Sequence, residues 1–185
     1  MRPRMNATNM SPDLSLPVVV RPATKDDLPS IGLLGRSLAA AHHGFDQARF
    51  LPVNNRTQLD YASYLGERLK DRDVAIFVAD CGGRVVGYTF TRLEGFDYMV
   101  LRGPAGVIHD LMVDEAFRRQ GIGRLLLQAA VTFLKLQGAP RVVLSTAARN
   151  EVAQRLFSSM GFRPTMNEMT CELGEFPKGQ VPTAA

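Results

Sequence analysis

The strongest periodic pattern of apolar positions lies in the second half of the chain. Five apolar residues share the spacing of one helical face there: Ile122, Leu126, Ala129, Ala130 and Phe133. Positions i, i+4, i+7, i+8 and i+11 follow the 3.6-residue period of an amphipathic helix. Gly138 and Pro140 form a stop signal behind it. Because an apolar run precedes this helix, residues 107–137 are predicted to form a strand, a turn and a helix.

Shorter patterns predict the elements before this unit. Three valines at 18–20 predict a strand, and Thr24 followed by acidic residues predicts the start of a helix that runs to about Ala41. Residues 42–55 are expected to form a loop, and residues 56–70 a second helix. Residues 74–79 and 84–93 predict a hairpin around Cys81-Gly82-Gly83.

The segment behind the central helix predicts three more elements. Residues 142–145 form an apolar run that fits a buried strand. Asn150 is a favoured N-cap residue for a helix that reaches Met160 and is closed by Gly161. The alternation of Met169, Cys171 and Leu173 predicts a last strand with one buried face.

Length and composition predict one soluble globular domain. The 185 residues are 45% hydrophobic and 22% charged, and no repeat or linker divides them. We expect a single domain over residues 18–173, with an N-terminal tail over 1–17 and a C-terminal tail over 174–185.

Charge, hydropathy and cysteine usage exclude several classes of partner. The net charge of +4 comes from basic residues that are spread along the chain, so a nucleic-acid partner is not expected. No apolar run approaches membrane-spanning length, and residues 1–17 lack the apolar centre of a secretion signal. The two cysteines form neither a disulfide framework nor a metal-ligand spacing. We therefore predict a cytoplasmic protein with no membrane partner and no metal.

The turn before the central helix has the composition of a phosphate site. It reads Arg118-Arg119-Gln120-Gly121-Ile122-Gly123, and its glycines allow close backbone approach at a helix N-terminus, where free N–H groups favour anions. The P-loop motif is excluded because Arg124, not Lys, follows the last glycine. The dinucleotide-binding fingerprint is excluded because Leu126 stands where its third glycine or alanine is required. A phosphate cradle and an ordinary strand–turn–helix joint remain.

Two motifs in this order resemble a known family. Arg-x-x-Gly-x-Gly after a strand is similar to the acetyl-CoA signature of the GCN5-related N-acetyltransferases (GNAT). The string from Asn150 through Ala153 and Phe157 to Gly161-Phe162 resembles the second signature of that family. The resemblance covers residues 18–173. It implies an α/β (α+β) fold, with a mixed, mainly antiparallel sheet, a splayed central strand pair and flanking helices.

The resemblance also implies where acetyl-CoA binds. Its pyrophosphate would lie on the turn before the central helix, and its pantetheine arm along the central strand, with main-chain hydrogen bonds like those of an added strand. Asn150 matches a position that helps to hold this arm, although a helix cap would explain it equally well. The implied cofactor-binding residues are Leu111, Met112, Val113, Arg118, Arg119, Gln120, Gly121, Ile122, Gly123, Arg124 and Asn150.

Acetyl transfer to an amine needs a general base, and His109 is the first candidate. An unperturbed histidine pKa of about 6.5 suits the role, and strand alternation predicts that His109 shares a face with Leu111 and Val113. Asp110 is the second candidate, on the opposite face. A hydrogen-bonded interior histidine with no role in chemistry is the competing interpretation.

The chain departs from the family pattern at Phe157. Many members carry a tyrosine there that protonates the departing thiolate, and phenylalanine has no proton to donate. The predicted function is still acetyl transfer from acetyl-CoA to a primary amine of a small molecule by direct attack. A protein or peptide N-acetyltransferase and a non-catalytic acyl-CoA-binding domain remain alternatives. The segments around His42 and Glu94 are candidates for holding a cationic acceptor, and a homodimer is compatible with the resemblance.

Overall fold

A computed structural model describes residues 16–174 as a five-stranded sheet flanked by helices. The strands are β1 (Val18–Pro22), β2 (Val74–Cys81), β3 (Arg84–Glu94), β4 (Ala105–Val113) and β5 (Val142–Leu144). The α-helices are α1 (Leu28–Phe45), α2 (Thr57–Arg68), α3 (Ile122–Leu136) and α4 (Glu151–Ser159). The predicted tails fall almost entirely outside the described residues.

The sheet is mixed and mainly antiparallel. Its order is β1-β2-β3-β4-β5, and only the last pair is parallel. That parallel pairing ends where Ile108 meets Leu144, whereas β4 continues to Val113. The central strands therefore separate beyond Ile108, and the predicted α/β fold with a splayed strand pair is confirmed.

Helices cover both faces of the sheet because its strands alternate apolar residues on two sides. In β2, Ile76 and Val78 belong to the core formed with α1 and α2. Phe77 and Ala79, on the other side, pack with residues of α3. A third cluster joins α3, β4 and β5 to α4. Burial on both faces fixes the register, since a one-residue slip would exchange the two cores.

The capping residues at the helix ends were read correctly from the sequence. The side chain of Asn150 accepts a hydrogen bond from the Ala153 N–H at 3.2 Å and caps α4. Gly138 and Gly161 follow α3 and α4 with φ angles of +80° and +90°. Glycine reaches this left-handed region without a steric penalty, so both helices end where predicted.

Two elements differ from the prediction. Helix α1 continues to Phe45 rather than stopping near Ala41, and Gly44 lies within its last turn. The predicted strand at Met169–Leu173 is wrong. Residues 162–170 carry no regular structure, and Met169 and Leu173 are 93% and 88% exposed. An alternating pattern gives a strand only where a sheet edge pairs with it, and this segment pairs with none of the described strands.

Candidate active site

The predicted phosphate cradle begins at an uncapped helix N-terminus. Gly121 is the N-cap of α3, with φ +81°, and offers no side chain to the amides of the first turn. Arg119 also lies in the left-handed region, with φ +64°, which is uncommon for a residue with a Cβ. The N–H groups of Arg124 and Leu125 already donate to the Gly121 carbonyl. The amides just before them, at Ile122 and Gly123, are therefore those that suit an anion.

The two glycines of the turn have different structural roles. An added Cβ at Gly121 would meet nothing within 4 Å, whereas one at Gly123 would lie 3.2 Å from Leu156 Cδ2 of α4. Gly123 therefore permits close packing of α3 and α4. Gly121 instead leaves open space beside the helix N-terminus, as a bound phosphate requires.

Two of the three arginines near the turn already have partners. Arg124 Nη2 donates to Ser159 Oγ at 2.8 Å, and its Nη1 lies 2.7 Å from Met160 Sδ, so this side chain joins α3 to α4. Arg118 Nε donates to the Val113 carbonyl at 3.1 Å. Positive charge remains close to the helix N-terminus, and because a guanidinium has five N–H donors, both side chains keep donors that these contacts do not use.

A cleft of about 380 Å³ opens where β4 and β5 separate. Its walls come from α1, the loop after α1, α2, β4, the end of β5 with the residues that follow it, and α4. Four predicted site residues line it: His109, Asp110, Leu111 and Asn150. On one side, Leu111, Met112 and Val113 pair with β3; β5 has already diverged on the other. That open edge is available for main-chain hydrogen bonds to an extended ligand.

A β-bulge at His109 changes the predicted orientation of the two candidate bases. Asp110 pairs with Phe90 and Ile108 pairs with Thr91, so His109 has no residue opposite. Its ring stacks on Phe90 in the α1–α2 core, with centroids 5.0 Å apart. Asp110 faces the same core, where it contacts Tyr61. The predictions that His109 shares a face with Leu111 and that Asp110 points the opposite way are wrong, because an extra residue breaks strand alternation.

Asp110 is a half-buried carboxyl group held by two phenols. Its Oδ2 accepts hydrogen bonds from Tyr61 at 2.6 Å and from Tyr88 at 3.2 Å. Burial raises the pKa of Asp110, against the opposing effect of the two tyrosine hydrogen bonds. Burial beside this carboxyl also raises the pKa of both tyrosines, so they remain protonated donors. Tyr61 lines the cleft and was not identified from the sequence.

His109 has a polar partner on its exposed side. Its Nε2 lies 2.9 Å from Glu94 Oε1, and the side chain is 38% exposed. Glu94 was predicted to help to hold a cationic acceptor, yet it is paired with His109 and Arg102. Phe96 and Tyr98, from the same predicted segment, are 71% and 76% exposed and do not line the cleft.

The opposite wall contains aromatic and basic groups. His42 packs against Phe50, with ring centroids 5.0 Å apart, and its Nδ1 lies 2.9 Å from the Leu38 carbonyl. Arg49 also lines this wall and pairs with Glu168 of the segment after α4. Phe157 is 9% exposed at the cleft, in the third core cluster. It therefore offers an apolar surface where the family pattern has a hydroxyl.

Comparison with known proteins assigns this architecture to a family. A sequence profile of the Acetyltransferase (GNAT) family matches residues 40–162. The chain is 31% identical to a mycothiol acetyltransferase of Thermobispora bispora over 142 residues, which are 69% of this chain and 46% of that protein. It is 36% identical to an N-alpha-acetyltransferase of Sulfurisphaera tokodaii over 102 residues, 52% of this chain and 61% of that protein.

Solved structures share the fold at lower identity. A tetramutant of a Bacillus halodurans protein superposes with a TM-score of 0.71 at 23% identity, over 84% of this chain and 99% of that one. A predicted acetyltransferase of Clostridium acetobutylicum, solved with acetyl-CoA, gives 0.65 at 16% identity, over 85% and 97%. The chain belongs to the acetyltransferase (GNAT) family, as its motifs indicated, and it spans about half the length of the curated relatives it matches.

Two features of the described residues bear on possible partners. Within residues 16–174, no helix is both long and apolar enough to cross a bilayer. In the same range, no three histidine, cysteine or acidic side chains gather in a way that would hold a metal ion.

Proposed function

We propose that this chain transfers the acetyl group of acetyl-CoA to a primary amine of a small molecule within the cleft between β4 and β5. The single observation that carries the proposal is the geometry of the central strands. They separate beside an uncapped helix N-terminus, and the resulting cleft contains a histidine and a half-buried carboxyl group. Family membership and the named acetyltransferase relatives support it.

The open edge of β4 and the start of α3 fit the two ends of acetyl-CoA. The amides at Ile122 and Gly123 suit its pyrophosphate, and the space beside Gly121 admits it. The edge of β4 at Leu111–Val113, which β5 does not pair, suits the extended pantetheine arm, and the Val113 carbonyl there accepts from Arg118 Nε. Asn150 caps α4 through Oδ1, so its Nδ2 group is the part of that side chain that can donate to the arm.

His109 acts as the general base in this proposal. The ammonium form of an acceptor must lose a proton before its nitrogen attacks the thioester carbon, and His109 lines the cleft where that happens. Asp110 lies beside His109 and accepts a hydrogen bond from Tyr61. This contact holds the Asp110 carboxyl group where a cationic acceptor would approach. The thiolate leaves without help from Phe157, because a thiolate is a much better leaving group than an alkoxide.

The test is release of free thiol from acetyl-CoA with a panel of small amines, for wild type and His109→Gln. We expect turnover with at least one amine and a loss in kcat of about 10²- to 10⁴-fold in the variant. His43→Gln is the matched control, because His43 does not line the cleft and hydrogen-bonds the Phe50 carbonyl at 2.8 Å. Equal activity of wild type and His109→Gln would exclude His109 as the base.

Two alternatives are separated by the same assay. An N-alpha-acetyltransferase of Sulfurisphaera tokodaii is among the relatives, so peptides with free N-termini belong in the panel. If only peptides are acetylated, the acceptor is a peptide rather than a small molecule. The apolar Phe157 at the cleft favours the second alternative, a non-catalytic acyl-CoA-binding domain. Such a domain would bind acetyl-CoA without releasing thiol for any acceptor.

A further inference from the structure

Glu94 contacts both the proposed base, His109, and the guanidinium of Arg102. It is the last residue of β3, and its two oxygens have different partners. Oε1 lies 2.9 Å from His109 Nε2, and Oε2 accepts from Arg102 Nη2 at 2.6 Å. The chain of contacts therefore runs from the cleft through His109 and Glu94 to Arg102. The side chains of Arg102 and Glu94 are only 15% and 28% exposed, so the pair is not a freely solvated surface bridge.

This contact determines which nitrogen of His109 can accept a proton. An ionised carboxylate only accepts hydrogen bonds, so neutral His109 must donate its Nε2–H to Glu94. The lone pair then lies on Nδ1. The ring is also stacked on Phe90 at an interplanar angle of 24°. Its orientation is thus fixed by one polar and one apolar contact.

We propose that Glu94 is a positioning residue for acetyl transfer: it holds His109 as the Nε2–H tautomer, with Nδ1 as the proton acceptor, and Arg102 holds Glu94 in place. The inference rests on the proposed role of His109 as the base. It adds a residue that the family motifs do not include and that does not itself touch the acceptor. After proton transfer, the same carboxylate stabilises the imidazolium that forms.

The position of Arg102 indicates that the fold maintains this arrangement. Its Nη1 is buried and has no hydrogen-bond partner among the described residues, and an unpaired buried donor is costly. The backbone holds the side chain there nevertheless. Arg102 and Asp97 exchange two main-chain hydrogen bonds of 2.8 Å, which close the hairpin after β3. The hairpin thus holds the Arg102 guanidinium against Glu94 Oε2.

The first experiment is a double-mutant cycle between Glu94 and His109 on the full chain. We expect Glu94→Ala to lower kcat by about 10-fold or more, a part of the general-base contribution, with the KM for acetyl-CoA unchanged. In the His109→Gln background the same change should have no further effect, because Glu94 acts only through His109. Glu94→Gln, which keeps a side-chain oxygen, should lose less than Glu94→Ala.

Asp73→Asn is the matched control for this cycle. Arg92 belongs to β3, as Glu94 does, and its Nε donates to Asp73 at 2.7 Å. The variant therefore breaks an arginine–carboxylate pair that does not line the cleft. Its kcat should equal that of wild type. An effect of Glu94→Ala that persists in the His109→Gln background would overturn the inference. So would equal losses of kcat in Glu94→Ala and Asp73→Asn.

A second measurement does not depend on turnover. The chain has three histidines, and ring-nitrogen NMR assigns the tautomer of each. His42 and His43 both present Nδ1 to a main-chain carbonyl, at 2.9 and 2.8 Å, so each should carry its proton on Nδ1. His109 should carry it on Nε2, and its ring N–H signal should weaken in Glu94→Ala as exchange with water accelerates.

The two measurements separate the inference from the proposed function. A proton on Nδ1 of neutral His109 would overturn the inference whether or not the protein is active. The Nε2–H tautomer, together with no thiol release for any amine, would leave the contact in place and refute the proposed function instead. Glu94 would then be a structural partner of His109 only, and its positioning role would be overturned with the base.

Discussion

Replacing Gly121 with alanine is the sharpest test of the phosphate cradle. Gly121 has φ +81°, and beyond its chain neighbours no atom of residues 16–174 lies within 4 Å of an added Cβ. The methyl group therefore meets no side chain in the described part of the fold. Two effects remain: strain in the left-handed backbone, and loss of space beside the amides at the start of α3.

The chain offers a control that isolates the first effect. Gly83, in the β2–β3 hairpin, has φ +86° and equally open surroundings, but it lies at a different part of the fold. A residue with a Cβ costs roughly 1–2 kcal/mol in this conformation. We expect Gly121→Ala and Gly83→Ala to lower the free energy of unfolding by about this amount and by similar amounts, as measured by urea unfolding.

The effect on acetyl-CoA binding should differ between the two variants. A hydrogen bond to a charged group contributes about 1.5–3 kcal/mol, so displacing the pyrophosphate from one amide should raise Kd about 10- to 100-fold. Isothermal titration calorimetry with acetyl-CoA measures this directly. Gly83→Ala should bind like wild type. Unchanged affinity of Gly121→Ala, with both variants folded, would refute the cradle and make the turn an ordinary strand–helix joint.

The carboxyl groups of Asp27 and Asp110 should show opposite effects of pH on stability. The Arg21 guanidinium contacts Asp27 at 2.8 Å and lowers the pKa of that carboxyl from 3.8 to about 2. Asp27→Asn should therefore cost about 2 kcal/mol in urea unfolding at pH 7, and the difference should vanish as the pH falls from 4 towards 2; a constant difference would contradict this. Burial raises the pKa of Asp110, so its ionisation opposes folding as the pH rises above 4. Asp110→Asn, which can still accept from Tyr61, should be at least as stable as wild type at pH 7 while thiol release falls; an earlier thermal unfolding transition would contradict the assignment.

Local patterns predicted the parts of the site that are built from neighbouring residues. The turn from Arg118 to Gly123 and the capped helix after Asn150 depend on glycine conformations and capping hydrogen bonds that span a few positions. Such features are encoded in short stretches of sequence, so they were found correctly. The splayed strand pair followed from the family resemblance rather than from periodicity.

Contacts between distant segments were not predictable in the same way. The bulge at His109 arises from the register between β3 and β4, and nothing in the sequence of β4 alone marks it. Tyr61 reaches Asp110 from 49 residues away along the chain. The predicted last strand failed for a related reason, since its alternation of apolar residues does not reveal whether a neighbouring strand is available.

The most direct test of the whole account is a crystal structure of the protein with acetyl-CoA. We expect electron density for the pyrophosphate at the amides of Ile122 and Gly123. We also expect the pantetheine arm along the edge of β4 that β5 leaves unpaired, and the thioester in the cleft beside His109. Density that places acetyl-CoA elsewhere on the protein, or an empty cleft at saturating acetyl-CoA, would contradict it.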